Sequence, residues 1–179
     1  MTFNILADSL AKNEFLSEGG DEVSISWEIR GPKIINILNN MLKKCHVVAT
    51  QENDKFEEIL NALPKNISAV YYQQNNIAIF YDNEKLELLN SFYLKSKCLR
   101  CDFLINNKLI NIYASHLKSG ENLSSEMKRI SQLTEIFEDS LDLENPIILM
   151  DSNNSYLYKM EYEPEDRLST LIEKYNFKN

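Results

Sequence analysis

Apolar and polar positions along this chain change rhythm twice, and the changes divide it into elements. Phe3-Asn4-Ile5-Leu6-Ala7 reads as a short strand that begins almost at the first residue. Residues 8–26 are polar, with Gly19-Gly20, and read as a loop. From Ile29 to Cys45 the residues Ile34, Leu38, Met41, Leu42 and Cys45 fall on one face at helical spacing, with Pro32 where a first turn tolerates it. His46 to Thr50 is a β-branched run, a buried strand that ends at Gln51-Glu52. Asp54 to Leu63 returns to helical spacing through Phe56, Ile59, Leu60 and Leu63.

The middle of the chain is a series of short strands, 69–72, 77–81, 86–94, 98–105 and 109–115. Asn106-Asn107 supplies the hairpin turn between the last two, because asparagine tolerates the left-handed backbone that such turns need. A helix over about 124–141 follows, with Ser124 as its cap. Pro146 to Met150 is a further buried strand, and Asp166 to Tyr175 a final helix. Helices alternating with strands around a central meander predict a single α/β domain over residues 1–179, with one strand-rich half in 1–81 and another in 86–151.

Composition narrows the class. No apolar run approaches the length that spans a bilayer, and the start Met1-Thr2-Phe3-Asn4 has no basic or apolar leader, so a cytoplasmic protein without membrane contact is expected. Cys45, Cys98 and Cys101 are an odd number outside any disulfide framework. The pair Cys98-x-x-Cys101 sits in a strand with no second pair to make a zinc site. The formal charge of −8 argues against a protein that coats nucleic acid through a basic face. A polyanionic substrate would need a local site, such as one built on a divalent cation.

Four strands deliver polar residues at or near their ends. Asn4 lies in the first, Glu52 follows the second, His116 and Lys118 follow the strand 109–115, and Asp151 and Asn153 follow the strand 146–150. Ligand sites of α/β proteins lie beyond the carboxyl ends of strands. Oxygen ligands of this kind suit hard Mg²⁺, which takes one or two carboxylates and leaves room for phosphate and water. Singly, each of these residues is ordinarily a cap, a turn residue or a solvated side chain.

Their order and local context resemble the endonuclease/exonuclease/phosphatase superfamily of metal-dependent phosphoesterases. The segments that carry the resemblance are "FNILADSLA" at 3–11, "ATQENDKF" at 49–56, "NNIAIFYDNEKLELLNS" at 75–91, "LINIYASHLKSGENLSSEMKRISQL" at 109–133 and "IILMDSNN" at 147–154. "NILADSLA", "QENDKF" and "HLKSG" are most similar to the deadenylase and nocturnin branch, which also includes a 2′,5′-phosphodiesterase. Met150 and Ser152 stand where the family motif has Gly and Phe, although the Asp and Asn keep their spacing. Asn76 stands where the branch often has Gly.

The resemblance implies a two-sheet sandwich of mainly antiparallel strands flanked by helices. It implies a Mg²⁺- or Mn²⁺-dependent phosphodiesterase or nuclease acting on RNA or a nucleotide phosphoester, as a deadenylase-like 3′-exoribonuclease or a 2′,5′-phosphodiesterase. Glu52, assisted by Asn4, would hold the metal; Asp151 would orient or deprotonate the water; Asn153 would bond the phosphate; His116 would donate to a phosphate oxygen. Lys118 would add a phosphate contact, and Arg129 and Gln132 would fix their helix to the active-site loop. The family closes with further strands and an Asp-His pair, whereas His46 and His116 are the only histidines in this sequence. The expectation is therefore a fold incomplete at its C-terminal end and a chain that is inactive or very weakly active by itself. Two other readings stay open: a non-catalytic binding homologue or enzyme fragment, and a phosphomonoesterase for a small nucleotide or inositol phosphate.

Overall fold

The structure is a computed structural model that describes residues 1–11, 21–153, 172, 174 and 175. Among the described residues eight strands form two four-stranded sheets. The first has the order β1-β2-β4-β3, from β1 (Thr2–Asn4), β2 (Val47–Gln51), β3 (Ile67–Tyr72) and β4 (Ile77–Asp82). The second has the order β5-β6-β7-β8, from β5 (Glu87–Leu94), β6 (Cys98–Ile105), β7 (Lys108–His116) and β8 (Pro146–Asp151). In each sheet one neighbouring pair is parallel, β1 with β2 and β7 with β8, and the rest are antiparallel. The division at residues 82–86 is the one the rhythm of the sequence predicts.

Among the described residues three apolar clusters account for the layers. Val47, Ala49, Ile79 and Tyr81 of the first sheet meet Leu99, Cys101, Phe103 and Ala114 of the second, which makes the inter-sheet core. The other face of the first sheet is covered by α1 (Trp27–Cys45) and α2 (Phe56–Ala62), through Ile34, Leu38, Leu42 and Ile59 against Val48 and Phe80. The outer face of the second sheet is covered by α3 (Leu123–Ser140), through Leu133, Ile136 and Phe137 against Cys98 and Tyr113. β2 and β4 are buried along their whole length, so their near-continuous apolar runs are what two covered faces require.

Local chemistry sets several boundaries differently from the sequence pattern. β1 ends at Asn4, not at Ala7, because Leu6 adopts φ 58° and the chain turns out of the sheet. Residues 8–11, expected as loop, form a helical turn whose first amides, those of Asp8 and Ser9, donate to the two carboxylate oxygens of Asp54. α1 starts at Trp27, which places Pro32 in its second turn and brings the indole of Trp27 against Gly31, where a Cβ would lie 2.9 Å from the ring. α3 is capped by Asn122, not Ser124: the Asn122 side-chain oxygen accepts from Ser125 N at 2.9 Å. The Asn106-Asn107 turn is as expected, with φ of 49° and 61°. The helix expected over 166–175 lies outside the described residues apart from Ile172 and Lys174, which are helical. Among the described residues no helix is long and apolar enough to cross a membrane.

Candidate active site

Two parallel pairings place the site. Asn4 stands beside Gln51 at the carboxyl ends of β1 and β2, and His116 stands beside Asp151 at the carboxyl ends of β7 and β8. Because the two sheets are stacked, both pairs open onto one rim. Asn4 spans the gap: its Nδ2 donates to Glu52 Oε1 and to Asp151 Oδ2, each at 2.8 Å. The two carboxylate oxygens are therefore no farther apart than twice that distance. His116 Nε2 faces the same two oxygens, at 3.7 Å from each.

Backbone groups fix the orientations of these side chains. Glu52 Oε2 accepts from Ala7 N at 3.1 Å, which turns Oε1 toward Asn4. Asn4 Oδ1 accepts from Leu6 N at 2.9 Å, which turns Nδ2 toward the carboxylates. Asp151 Oδ1 accepts from Asn153 N at 3.0 Å, and Asn153 Nδ2 donates to Leu117 O at 2.9 Å. Leu6, Glu52 and Asn153 all have positive φ, of 58°, 56° and 47°. None is glycine, and such backbone costs roughly 1–3 kcal/mol per residue, so the surrounding contacts must hold it in place.

The cleft beside this cluster has a volume of about 570 Å³. Asn4, Glu52, His116, Ser119 and Asn153 form its polar side, Phe3, Ile5 and Ile34 part of its apolar wall, and Arg30 and Lys33 its basic groups. Of the residues expected from the sequence, Asn4, Glu52, His116, Asp151 and Asn153 come together. Lys118 is exposed and is not among the residues lining this cleft; Ser119 is. Its backbone is held instead: Lys118 N donates to Gln132 Oε1 at 2.9 Å, and Lys118 O accepts from Arg129 Nη1 at 2.8 Å. Arg129 is buried and also donates to Gly120 O, so α3 clamps the loop that follows His116.

Arg30 and Lys33, the basic residues of the cleft, and Ser119 are not among the residues expected from the sequence. A basic residue in the first turn of a helix opposes the helix dipole, and that departure is the signal Arg30 offers in the sequence.

Among the described residues no group of three or more His, Cys, Asp and Glu side chains is arranged to hold a metal ion. The donor set suits a cation held in another way. Two carboxylate oxygens flank the Asn4 amide and face the His116 imidazole, and among the described residues neither Glu52 nor Asp151 pairs with a lysine or arginine. Mg²⁺ and Mn²⁺ are taken by such oxygen donors, with water and substrate phosphate completing the shell.

No family model matches the chain, and no curated protein matches it by sequence. Solved structures do match. The human nocturnin catalytic domain with bound sulfate superposes with a TM-score of 0.61 at 18% identity, over 86% of this chain and 63% of that one. ANGEL2, a 2′,3′-cyclic phosphatase in complex with adenosine-2′,3′-vanadate, gives 0.65 at 15% identity, over 87% of this chain and 53% of that one. An endonuclease/exonuclease/phosphatase family protein from Bacteroides thetaiotaomicron gives 0.64 at 15% identity, over 88% and 64%. The chain thus spans less than two thirds of the length of each of these structures. The likeness is one of fold: these structures, one of them an endonuclease/exonuclease/phosphatase family protein, share with this chain the two stacked mixed sheets between layers of helices.

Proposed function

We propose that this chain carries the catalytic cleft of a divalent-metal-dependent phosphoesterase whose substrate is a phosphodiester of RNA or of a nucleotide. The observation that carries the reading is the Asn4 amide shared by Glu52 and Asp151, with the His116 imidazole facing both carboxylates. The sulfate in nocturnin and the adenosine-2′,3′-vanadate in ANGEL2 support an oxyanion substrate, the second of them a nucleoside one. The sequence segments at 3–11, 49–56 and 109–133 favour the deadenylase-like or 2′,5′-phosphodiesterase type within that class.

Each residue has a role that its contacts allow. Glu52, fixed through Oε2 by the Ala7 amide, turns Oε1 into the cleft as the carboxylate for Mg²⁺ or Mn²⁺. When bound, that ion polarises a phosphoryl oxygen and offsets the charge of the leaving oxygen. Asn4 keeps the two carboxylates in register. Asp151, whose Oδ1 is occupied by the Asn153 amide, orients a water through Oδ2 and takes its proton. The Asn153 side chain spends one N–H on Leu117 O and turns the other to the phosphate. His116 donates from Nε2 to a phosphoryl oxygen as charge builds there in the transition state.

Metal binding tests the cluster directly. Wild type should bind Mn²⁺ or Mg²⁺ with measurable heat, and Glu52→Gln should weaken that binding markedly; identical titrations would remove Glu52 from the role. Substrate class is then read by Mg²⁺-dependent hydrolysis of oligo(A), 2′,5′-linked oligoadenylate, a phosphorylated dinucleotide and an inositol phosphate. Turnover of the inositol phosphate alone would overturn the RNA and nucleotide assignment.

A further inference from the structure

Arg30 is the fourth residue of α1, and its guanidinium is turned inward, with the side chain only 15% exposed. Nε donates to Ile25 O at 2.9 Å, Nη1 donates to Ile5 O at 3.2 Å and Leu6 O at 3.0 Å, and Nη2 donates to Asp8 Oδ1 at 3.4 Å. Two of these acceptors are carbonyls of consecutive residues. In an extended chain successive carbonyls point to opposite sides, so one guanidinium nitrogen could not reach both. The left-handed backbone of Leu6 aligns them.

The same rotation has a second effect. In each trans peptide the N–H points away from the C=O. The peptide whose carbonyl is Ile5 O contributes Leu6 N, which donates to Asn4 Oδ1; the peptide whose carbonyl is Leu6 O contributes Ala7 N, which donates to Glu52 Oε2. Two successive peptides therefore have their carbonyls on Arg30 and their amides on Asn4 and Glu52. We propose that Arg30 is a positioning residue for the metal-binding carboxylate, acting through these two peptides to hold Leu6 in its left-handed conformation and Glu52 Oε1 in the cleft.

The inference rests on the metal-cleft reading, and its sign separates it from plain electrostatics. Arg30 is a cation on the cleft wall. If charge were all it contributed, removing it would tighten binding of a divalent cation. If it positions Glu52, removing it loosens binding, and a lysine, which keeps the charge without the planar fork, does not restore it.

The test compares wild type, Arg30→Gln, Arg30→Lys and Glu52→Gln, each shown to be folded at the working temperature by circular dichroism. Mn²⁺ affinity is measured by calorimetry, and exchange of the Leu6 and Ala7 amides by NMR. Groups that orient a metal ligand typically change affinity by about 10- to 100-fold, and a loss of that size is expected in both Arg30 variants. Exchange at Leu6 and Ala7 should speed up by at least about tenfold in Arg30→Lys, with the amides of Val48 and Ile79 unchanged, which corresponds to roughly 1.4 kcal/mol of lost local protection. Arg30→Gln binding Mn²⁺ as tightly as wild type, or more tightly, overturns the inference while leaving Glu52 as ligand. Wild type and Glu52→Gln binding alike overturns the metal reading and with it the metal role of Arg30. Unchanged exchange at Ala7 overturns the positioning itself, whatever the metal data show.

Discussion

Asn4→Asp is the most informative single change in the site, because it is nearly isosteric and replaces the donor of two hydrogen bonds by a negative charge. The side chain at position 4 lies 2.8 Å from one oxygen of Glu52 and 2.8 Å from one of Asp151. Wild type has a neutral amide there, donating to both. The variant puts a third carboxylate within contact of two others whose side chains are only 16% and 27% exposed, so water screens the repulsion poorly. At an effective dielectric near 20, two like charges at about 4 Å repel by ~4 kcal/mol, and there would be two such pairs. The folded variant avoids the full sum by keeping one proton. Holding a proton at pH 7 on a carboxyl that ordinarily releases it near 4 costs about 4 kcal/mol, and that cost caps the damage.

The expected loss of stability is thus roughly 3–4 kcal/mol at pH 7, a large share of a typical total of about 5–15. Its pH dependence follows from linkage. The retained proton means a carboxyl whose folded-state value is raised, so the folded state binds more protons than the unfolded one, and stability is lost as pH rises. On acidification from pH 7 to pH 5 the deficit should shrink by about 1.4 kcal/mol per unit. Mg²⁺ at about a hundred times the variant's dissociation constant should add ~2.7 kcal/mol to its stability, and the same concentration should add less to wild type, which lacks the third carboxylate. Urea unfolding at pH 5, 6 and 7, with and without Mg²⁺, measures all of this. A deficit below about 1 kcal/mol at pH 7, or one that does not shrink on acidification, would show that the two carboxylates do not share the Asn4 amide.

Two further outcomes check other parts of the structure. In an active preparation, His116→Ala should lower kcat by ~10²- to 10⁴-fold with little change in KM, since the imidazole contact would strengthen only in the transition state; equal kcat values would leave His116 without a catalytic role. Burial pushes the Cys101 thiol up to about 12 and the Cys98 thiol higher still, whereas Cys45 is half-buried. An alkylating reagent at pH 8 should therefore modify Cys45 alone in the folded protein. Above the unfolded thiol range, near 8.5, stability should fall by about 1.4 kcal/mol per pH unit per buried thiol; labelling of all three cysteines at equal rates would contradict the packing of β6.

What the sequence could show depended on how local the cause was. Strand-end residues were legible, because apolar runs that stop at Glu52, His116 and Asp151 leave little choice about where those side chains go. Convergence was legible only through the order of the segments, since no pattern within residues 1–11 encodes contact with residue 151. The reading failed where backbone conformation broke a rhythm. Ile5-Leu6-Ala7 is apolar and reads as strand, but the left-handed Leu6 turns it into the segment that presents its amides to Asn4 and Glu52. Lys118 lies two residues after His116, which in a strand would put both on one face; β7 ends at His116, so the two-residue period stops applying. Arg30 stayed hidden because its partners are backbone carbonyls, which leave no trace in residue type.

The position of the cluster has a consequence for how the site and the fold depend on each other. Asn4 and Glu52 belong to the first sheet, Asp151 and His116 to the second, and the bond from Asn4 to Asp151 joins residues 147 apart in sequence. Neither sheet alone holds the complete set of donors. The site exists only when the inter-sheet core of Ala49, Ile79, Leu99 and Ala114 is packed, so any ligand that needs both carboxylates binds the packed state and not the separated one. Binding and sheet packing then share one free energy, and each must strengthen the other. The positive-φ residues are held within their own layers, Leu6 and Glu52 by Arg30 and Ala7 and Asn153 by Leu117, so what depends on the stacking is the bond from Asn4 to Asp151 and the approach of His116 to Glu52. Loosening of the inter-sheet core should therefore be felt first as lost ligand affinity, before the strands themselves come apart.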